Sequence, residues 1–112
     1  MFSPFYHEET PQPPNDLRTT VVQKNYMVLQ WNPPKNGDFY GIQTYTIEQK
    51  TEPSGNFIVI QTLPYSLTRT TVEDLKPSTQ YSIRVSSNNK YGRSDGVMTT
   101  QRTLPGNYFH KL

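Results

Sequence analysis

The chain has 112 residues, which suits one domain and leaves little room for two. Alanine is absent and threonine occurs 14 times, so the composition favours strands over helices. A formal net charge of +2 is too small to indicate a nucleic-acid partner, and the lack of cysteine excludes disulfides and thiolate metal sites. No apolar run is long enough to span a membrane. We therefore predict an all-β domain that neither binds nucleic acid nor inserts into a membrane.

Three parts are predicted along the chain. The first fourteen residues carry four prolines, and residues 1–12 are predicted to be a linker or leading segment. Residues 104–112 are predicted to be a C-terminal tail or linker. Between them, residues 13–103 carry turn signals at roughly the 8–12-residue spacing of a β-sandwich. The aromatic residues of the two end segments could pack on an edge strand or a neighbouring module, or could be frayed ends. These residues are Phe2, Phe5, Tyr6, Tyr108 and Phe109.

Alternation of apolar and polar residues predicts seven strands, at residues 16–22, 26–31, 42–50, 57–62, 69–72, 80–87 and 97–103. In a strand, alternate side chains point to opposite faces, so one set is expected to face a core and the other to face outward. The inward set comprises Met27, Leu29, Trp31, Tyr45, Ile47, Tyr81, Ile83 and Val85. The outward set comprises Thr46, Glu48, Ser82, Arg84 and Ser86.

Several of these residues resemble the signature of the fibronectin type III family. They are Trp31 followed by Pro33-Pro34, then Tyr45, then the run Leu75-Lys76-Pro77-Ser78-Thr79-Gln80-Tyr81, with a loop containing Asn89, Gly92 and Ser94. The resemblance covers residues 13–103. It implies a seven-stranded antiparallel sandwich of the immunoglobulin-like type, in which Trp31, Tyr45, Leu75, Pro77 and Tyr81 are structural.

The resemblance also implies two particular contacts. The Tyr81 hydroxyl is expected to bond to the backbone a few residues upstream, as in a tyrosine corner. The third and sixth strands are neighbours in this fold, so Glu48 and Arg84 are expected to form an exposed cross-strand pair. Such a pair is worth under about 1 kcal/mol, because exposed charges are screened.

The chain offers no group of residues suited to catalysis. His7 and His110 both lie in the end segments, so no base is held beside a nucleophile. The neighbouring carboxylates Glu73 and Asp74 are expected at a solvated turn. We predict that the domain is not an enzyme and holds neither a metal nor a cofactor.

The favoured contact surface is one end of the sandwich. The loops at residues 32–41, 63–68 and 88–96 are predicted to share that end, and they carry Phe39, Tyr40, Tyr65, Lys90, Tyr91 and Arg93. Tyrosine and arginine are common in protein interfaces, although these rings could instead pack back on the sandwich. A second possible surface is the outward face of strands three, four, six and seven. A third possibility is a spacer that contacts only its covalent neighbours.

The resemblance implies a protein-interaction or spacer module of a larger modular protein, whose partners are other proteins or neighbouring domains. The first hypothesis places it in the ectodomain of a cell-surface receptor or adhesion protein. The second is a cytoplasmic module of a muscle-filament array, which the absence of cysteine and of Asn-X-Ser/Thr glycosylation sites allows. The third is an accessory module of a secreted carbohydrate-active enzyme.

Overall fold

The structure is a computed structural model that describes residues 9–106, apart from the side chains of residues 38 and 39. Its sandwich consists of two antiparallel sheets. The predictions made for residues 1–8 and 107–112, including both histidines and the five aromatic residues of the end segments, lie outside the described residues.

The described part of the chain forms eight strands and one short helix. They are β1 Asn15–Val22, β2 Met27–Asn32, α1 Gly37–Tyr40, β3 Thr44–Thr51, β4 Ile58–Pro64, β5 Arg69–Val72, β6 Gln80–Asn89, β7 Gly92–Arg93 and β8 Val97–Arg102. The smaller sheet has the order β1-β2-β5. In the larger sheet the order is β4-β3-β6, and β6 pairs with both β7 and β8. The predicted antiparallel sandwich is therefore confirmed.

The strand count is eight and the predicted seven is wrong. The additional strand, β7, has two residues and pairs with the end of β6 inside the segment predicted as a loop. Gly92 makes this possible because its φ of +142° lies in a region that residues with a Cβ rarely adopt. The chain can therefore double back on β6 within three residues of Asn89.

The core lies between the two sheets, and the predicted inward residues form it. Trp31, Tyr45, Ile47, Ile83 and Val85 are at most 1% exposed, and Tyr81 is 4% exposed. The Trp31 and Tyr45 rings meet edge to face, with their centroids 5.3 Å apart. One aromatic pair thus fills the centre of the sandwich from both sheets.

The tyrosine corner is confirmed. The Lys76 backbone N–H donates a hydrogen bond of 2.8 Å to the Tyr81 hydroxyl. Beside it, the Thr103 hydroxyl donates to the Lys76 carbonyl and accepts a hydrogen bond of 3.0 Å from the Thr79 N–H. The Ser78 N–H then donates to the Leu104 carbonyl. The corner therefore also anchors the chain that follows β8.

The outward residues are directed as predicted, but most of them are not exposed. Thr46, Glu48, Ser82 and Ser86 are between 0% and 7% exposed. They lie on β3 and β6, which have a partner strand on each side. The Ser82 hydroxyl bonds to Glu52 and Thr100, and the Asn88 amide donates to the Thr46 hydroxyl, so neighbouring polar side chains pack against these short ones. The outer face of the larger sheet is therefore itself a packed surface.

Candidate functional site

The three predicted loops meet at one end of the sandwich, which we call the loop end. The backbone N–H of Trp31 donates to the Thr68 carbonyl at 3.0 Å, and the backbone N–H of Tyr65 donates to the Gln43 carbonyl at 3.0 Å. Helix α1 lies in the first of the three loops. Backbone hydrogen bonds therefore fix the loops to the strands beside them.

The loop end is centred on Asn89, which is 7% exposed. Its amide nitrogen donates to the Glu9 carbonyl at 2.8 Å and to the Tyr40 carbonyl at 2.9 Å. Its amide oxygen accepts from the N–H groups of Tyr91 at 2.9 Å and Gly92 at 3.1 Å. One side chain thus joins the leading segment, helix α1 and the turn between β6 and β7. A short amide followed by glycine is the sequence signal for such a turn.

The six predicted contact residues divide into groups. Tyr65 is half-buried, with its ring 5.9 Å from that of Tyr45. Its hydroxyl lies where a Cβ on Gly37 would be, so this tyrosine packs inward. Tyr40 is also half-buried, and the side chain of Phe39 is outside the described part of the structure.

Lys90 and Tyr91 lie at the tip of the loop end. The Lys90 ammonium is 5.2 Å from the centroid of the Tyr91 ring, and Tyr91 is 40% exposed. This cation–π arrangement holds the two side chains together at the surface. They are the predicted contact residues that the loop end presents most openly.

Arg93 points away from the loop end and onto the outer face of the larger sheet. Its guanidinium lies 3.7 Å from Glu48 Oε2. Glu48 also accepts two hydrogen bonds from Arg84, at 2.9 Å and 3.1 Å. The predicted pair of Glu48 and Arg84 is confirmed, with the two residues directly opposite each other on β3 and β6. The expectation that both partners are exposed is wrong, because the Glu48 side chain is only 10% exposed.

Phe57 supports this ion pair from one side. The Arg84 guanidinium carbon lies 3.9 Å from the Phe57 ring centroid, and the Lys50 ammonium lies 5.7 Å from the same centroid. Gly96 lies against the Arg84 stem, where a Cβ would overlap the Arg84 Cγ. The Arg84 guanidinium is therefore held by a carboxylate and a ring, and Gly96 packs closely against the stem of the same side chain.

Two exposed apolar residues flank the ion pair. Val59 on β4 is the register partner of Glu48, and Met98 on β8 is the register partner of Arg84. The row Val59, Glu48, Arg84, Met98 therefore crosses four strands on one face. Val59 is 53% exposed and Met98 is 58% exposed. We call these four residues, with Phe57 and Arg93, the charged face.

The electrostatics keep the centre of the charged face ionised. The hydrogen bonds from Arg84, helped by the charges of both arginines, lower the pKa of Glu48 despite its burial. The same hydrogen bonds raise the pKa of Arg84.

In the core, burial raises the pKa of Tyr45 to about 12, and the neighbouring Tyr65 adds to this effect. Tyr45 is therefore a neutral core residue at physiological pH.

The described residues meet neither the requirements of a metal site nor those of a membrane-spanning helix. Within residues 9–106, no three His, Cys, Asp or Glu side chains are grouped so that they could hold a metal ion. The same part of the chain has no helix with the length and hydropathy needed to cross a bilayer.

Comparison with known proteins identifies the fold family. Residues 12–101 match the family model described as Fibronectin type III domain. The chain is 35% identical over 86 residues to a Protein sidekick homolog from Caenorhabditis briggsae, which covers 76% of this chain and 4% of that protein. It is 34% identical over 89 residues to Myosin-binding protein H from Gallus gallus, which covers 78% of this chain and 16% of that protein.

A solved structure of titin domains A168–A170 superimposes with a TM-score of 0.74 at 25% identity, over 84% of this chain and 32% of that one. The chain thus spans less than a fifth of the length of the two curated relatives.

Proposed function

The chain belongs to the fibronectin type III domain family, and we propose that it is a non-catalytic protein-binding module of a larger protein, with the charged face as its contact surface. The observation that supports this proposal is the row of four residues across the larger sheet. It combines a fixed ion pair with exposed Val59 and Met98 on either side. Arginine, methionine and aromatic residues are enriched in protein interfaces, and lysine and glutamate are depleted.

Rigidity strengthens the case for the charged face. Arg84 is already ordered by Glu48 and Phe57, so binding a partner costs little further side-chain entropy. Arg93 is 46% exposed and only 3.7 Å from its carboxylate, which leaves N–H donors available to a partner. Two arginines share one buried glutamate, so the centre of the face carries excess positive charge. The partner surface is expected to carry a carboxylate there and apolar side chains around it.

A spacer function is the second candidate, and Asn89 favours it. By donating to the Glu9 carbonyl, Asn89 holds the leading segment against the loop end. Any module that precedes this one would therefore approach the loop end first. We infer that Lys90 and Tyr91 contact that neighbour, whereas the charged face remains available to a separate protein. The prediction of a contact surface at the loop end is therefore kept for Lys90 and Tyr91 and for a neighbouring module of the same chain.

Two settings predicted from the sequence, a cell-surface protein and a muscle-filament array, are both compatible with this role. A cell-surface module and a muscle-filament module alike need a folded surface that binds another protein and needs no cofactor. We propose the ectodomain of a receptor or adhesion protein as the first setting to examine, with a filament array as the alternative. Immunolocalisation of the protein in its own cells, with and without permeabilisation, separates the two.

Site-specific photo-crosslinking tests the contact surface. A photoreactive amino acid is placed in turn at Met98 on the charged face, at Tyr91 at the loop end, and at the exposed Thr20 on the smaller sheet as a control. The protein is expressed in its native cells and the adducts are identified by mass spectrometry. We expect Met98 to capture a separate protein, Tyr91 to capture its own chain, and Thr20 to capture neither.

Other outcomes contradict parts of the proposal. Capture of a separate protein from Tyr91 but not from Met98 would move the binding surface to the loop end. Adducts confined to the same chain at both positions would establish the spacer function instead.

A further inference from the structure

Strand β4 forms an open edge of the larger sheet. The segment Phe57-Ile58-Val59-Ile60-Gln61-Thr62-Leu63 contains no charged residue, no proline and no glycine. Ile58 is 59% exposed and Val59 is 53% exposed, and as adjacent residues of a strand they point to opposite faces. An uncharged apolar edge of this kind presents unpaired backbone groups to any second strand.

Other sheet edges carry features that hinder pairing. On β5, the Gln61 amide nitrogen donates to the Thr71 carbonyl at 2.8 Å, and the Thr70 hydroxyl donates to the Gln61 amide oxygen. Strand β1 has two breaks in its register and carries the charged residues Asp16 and Arg18. Charges, prolines, irregularities and side-chain caps are the usual protections of an edge strand. Strand β4 carries no charge, and its protections are a bulge at Ile60 and a proline at its last position, Pro64.

Strand β5 lies beside β4 on the other sheet and adds charges to this side of the sandwich. Residues 65–68 return the chain from the end of β4 to Arg69, at the start of β5. Glu73 and Asp74 follow β5 and line a groove with Gln49 and Ile60, near the start of β4. All three charged residues are exposed, and among residues 9–106 none of them forms an ion pair with another described side chain.

We propose that this side of the sandwich is a homodimer interface, in which β4 pairs antiparallel with β4 of a second copy. A twofold axis across the middle of β4 brings two uncharged strands together without repulsion. The same axis places Arg69 of each copy opposite Glu73 and Asp74 of the other copy, because β5 runs antiparallel to β4. The surface is therefore self-complementary in charge as well as in backbone hydrogen bonding.

The expected dimer is weak and closed. Pairing through one seven-residue strand covers less than the roughly 800 Å² per partner of a stable interface, and the bulge at Ile60 shortens the regular stretch. A twofold contact uses the same surface on both copies, so association stops at two. Concentration-dependent dimerisation without larger species is its signature.

Analytical ultracentrifugation from about 10 µM to about 1 mM measures this association directly. Ile58→Lys adds a charge to the edge and is expected to raise the dimer dissociation constant at least tenfold. Leu104→Lys is the control, because Leu104 is also exposed, at 46%, but lies after the end of β8 and outside both β4 and the charged face, and it is expected to leave the constant unchanged. Fluorescence of Trp31, the sole tryptophan, confirms that each variant is folded.

A charge exchange tests the orientation of the dimer. Arg69→Glu and Glu73→Arg should each weaken self-association, and an equimolar mixture of the two variants should form a heterodimer as tight as the wild-type dimer. Glu73 is chosen because Asp74 has a left-handed φ of 60°, which long side chains tolerate poorly. A wild-type chain that stays monomeric throughout the range, open-ended polymers, or a mixture no tighter than its components would each overturn the proposal.

Discussion

The ion pair at the centre of the charged face is open to a direct energetic test. Glu48→Gln and Arg84→Met, singly and together, form a double-mutant cycle in which glutamine keeps the shape of the carboxylate and methionine keeps much of the arginine stem. The pair makes two charge-assisted hydrogen bonds of 2.9 Å and 3.1 Å. The Glu48 side chain is 10% exposed and the Arg84 side chain is 36% exposed.

These exposures place the pair between two limits. Exposed pairs are worth up to about 1 kcal/mol, whereas removing one partner of a buried pair costs about 3–5 kcal/mol. Because water still reaches Arg84, we expect a coupling energy of about 1–3 kcal/mol. The matched control is the cycle of Glu48 with Arg93, which is 46% exposed at a distance of 3.7 Å. Its coupling should be under about 0.5 kcal/mol.

Urea denaturation followed by Trp31 fluorescence gives the free energy of unfolding for each variant. The two coupling energies are then compared in the same buffer. If the Glu48–Arg84 coupling is no larger than the Glu48–Arg93 coupling, Glu48 is well solvated. The charged face would then not be prearranged, and the main physical argument for it as a contact surface would fail.

Three further outcomes are expected. Tyr81→Phe leaves the Lys76 N–H without its acceptor and should lower the free energy of unfolding by about 1–3 kcal/mol, measured by the same denaturation. Gly96→Ala should displace the Arg84 stem and reduce its coupling to Glu48, which repeating the cycle in the alanine background measures. The lowered pKa of Glu48 stabilises the fold above the unfolded pKa, and this stability is lost as the pH falls through the folded pKa. In Glu48→Gln that part of the acid sensitivity should disappear from denaturation curves taken between about pH 7 and pH 3.

The strands and the core could be predicted because alternation and turn residues act locally. Trp31 and Tyr45 are buried as expected, since a period of two assigns each side chain to a face. The pairing of Glu48 with Arg84 followed from the neighbouring positions of two strands in the fold. However, the alternation of side chains along a strand does not predict how far an outward side chain is exposed to solvent. Ser86 points outward and is still 1% exposed, and Gly96 lies close to its hydroxyl.

Strand β7 and the direction of Arg93 could not be predicted from local pattern. Both depend on the hydrogen bonds of one buried side chain, Asn89, and on the backbone conformation of Gly92. That turn carries Arg93 from the predicted loop to Glu48 on the sheet. A sequence pattern identifies a turn there, but it does not specify where the residue after the turn will point.

The inward packing of Tyr65 shows why loop composition alone misplaces a contact surface. An aromatic residue in a loop resembles an interface residue, but the missing side chain at Gly37 leaves room for this ring against the core. At the same end, Asn89 uses its four hydrogen bonds to hold the leading segment, helix α1 and the turn between β6 and β7. The loop end is therefore largely occupied by contacts within the chain. The charged face lies on paired strands, and its residues Val59 and Met98 are exposed. A separate protein could bind there without displacing any of the contacts that hold the fold together, which is why we propose this face as the contact surface.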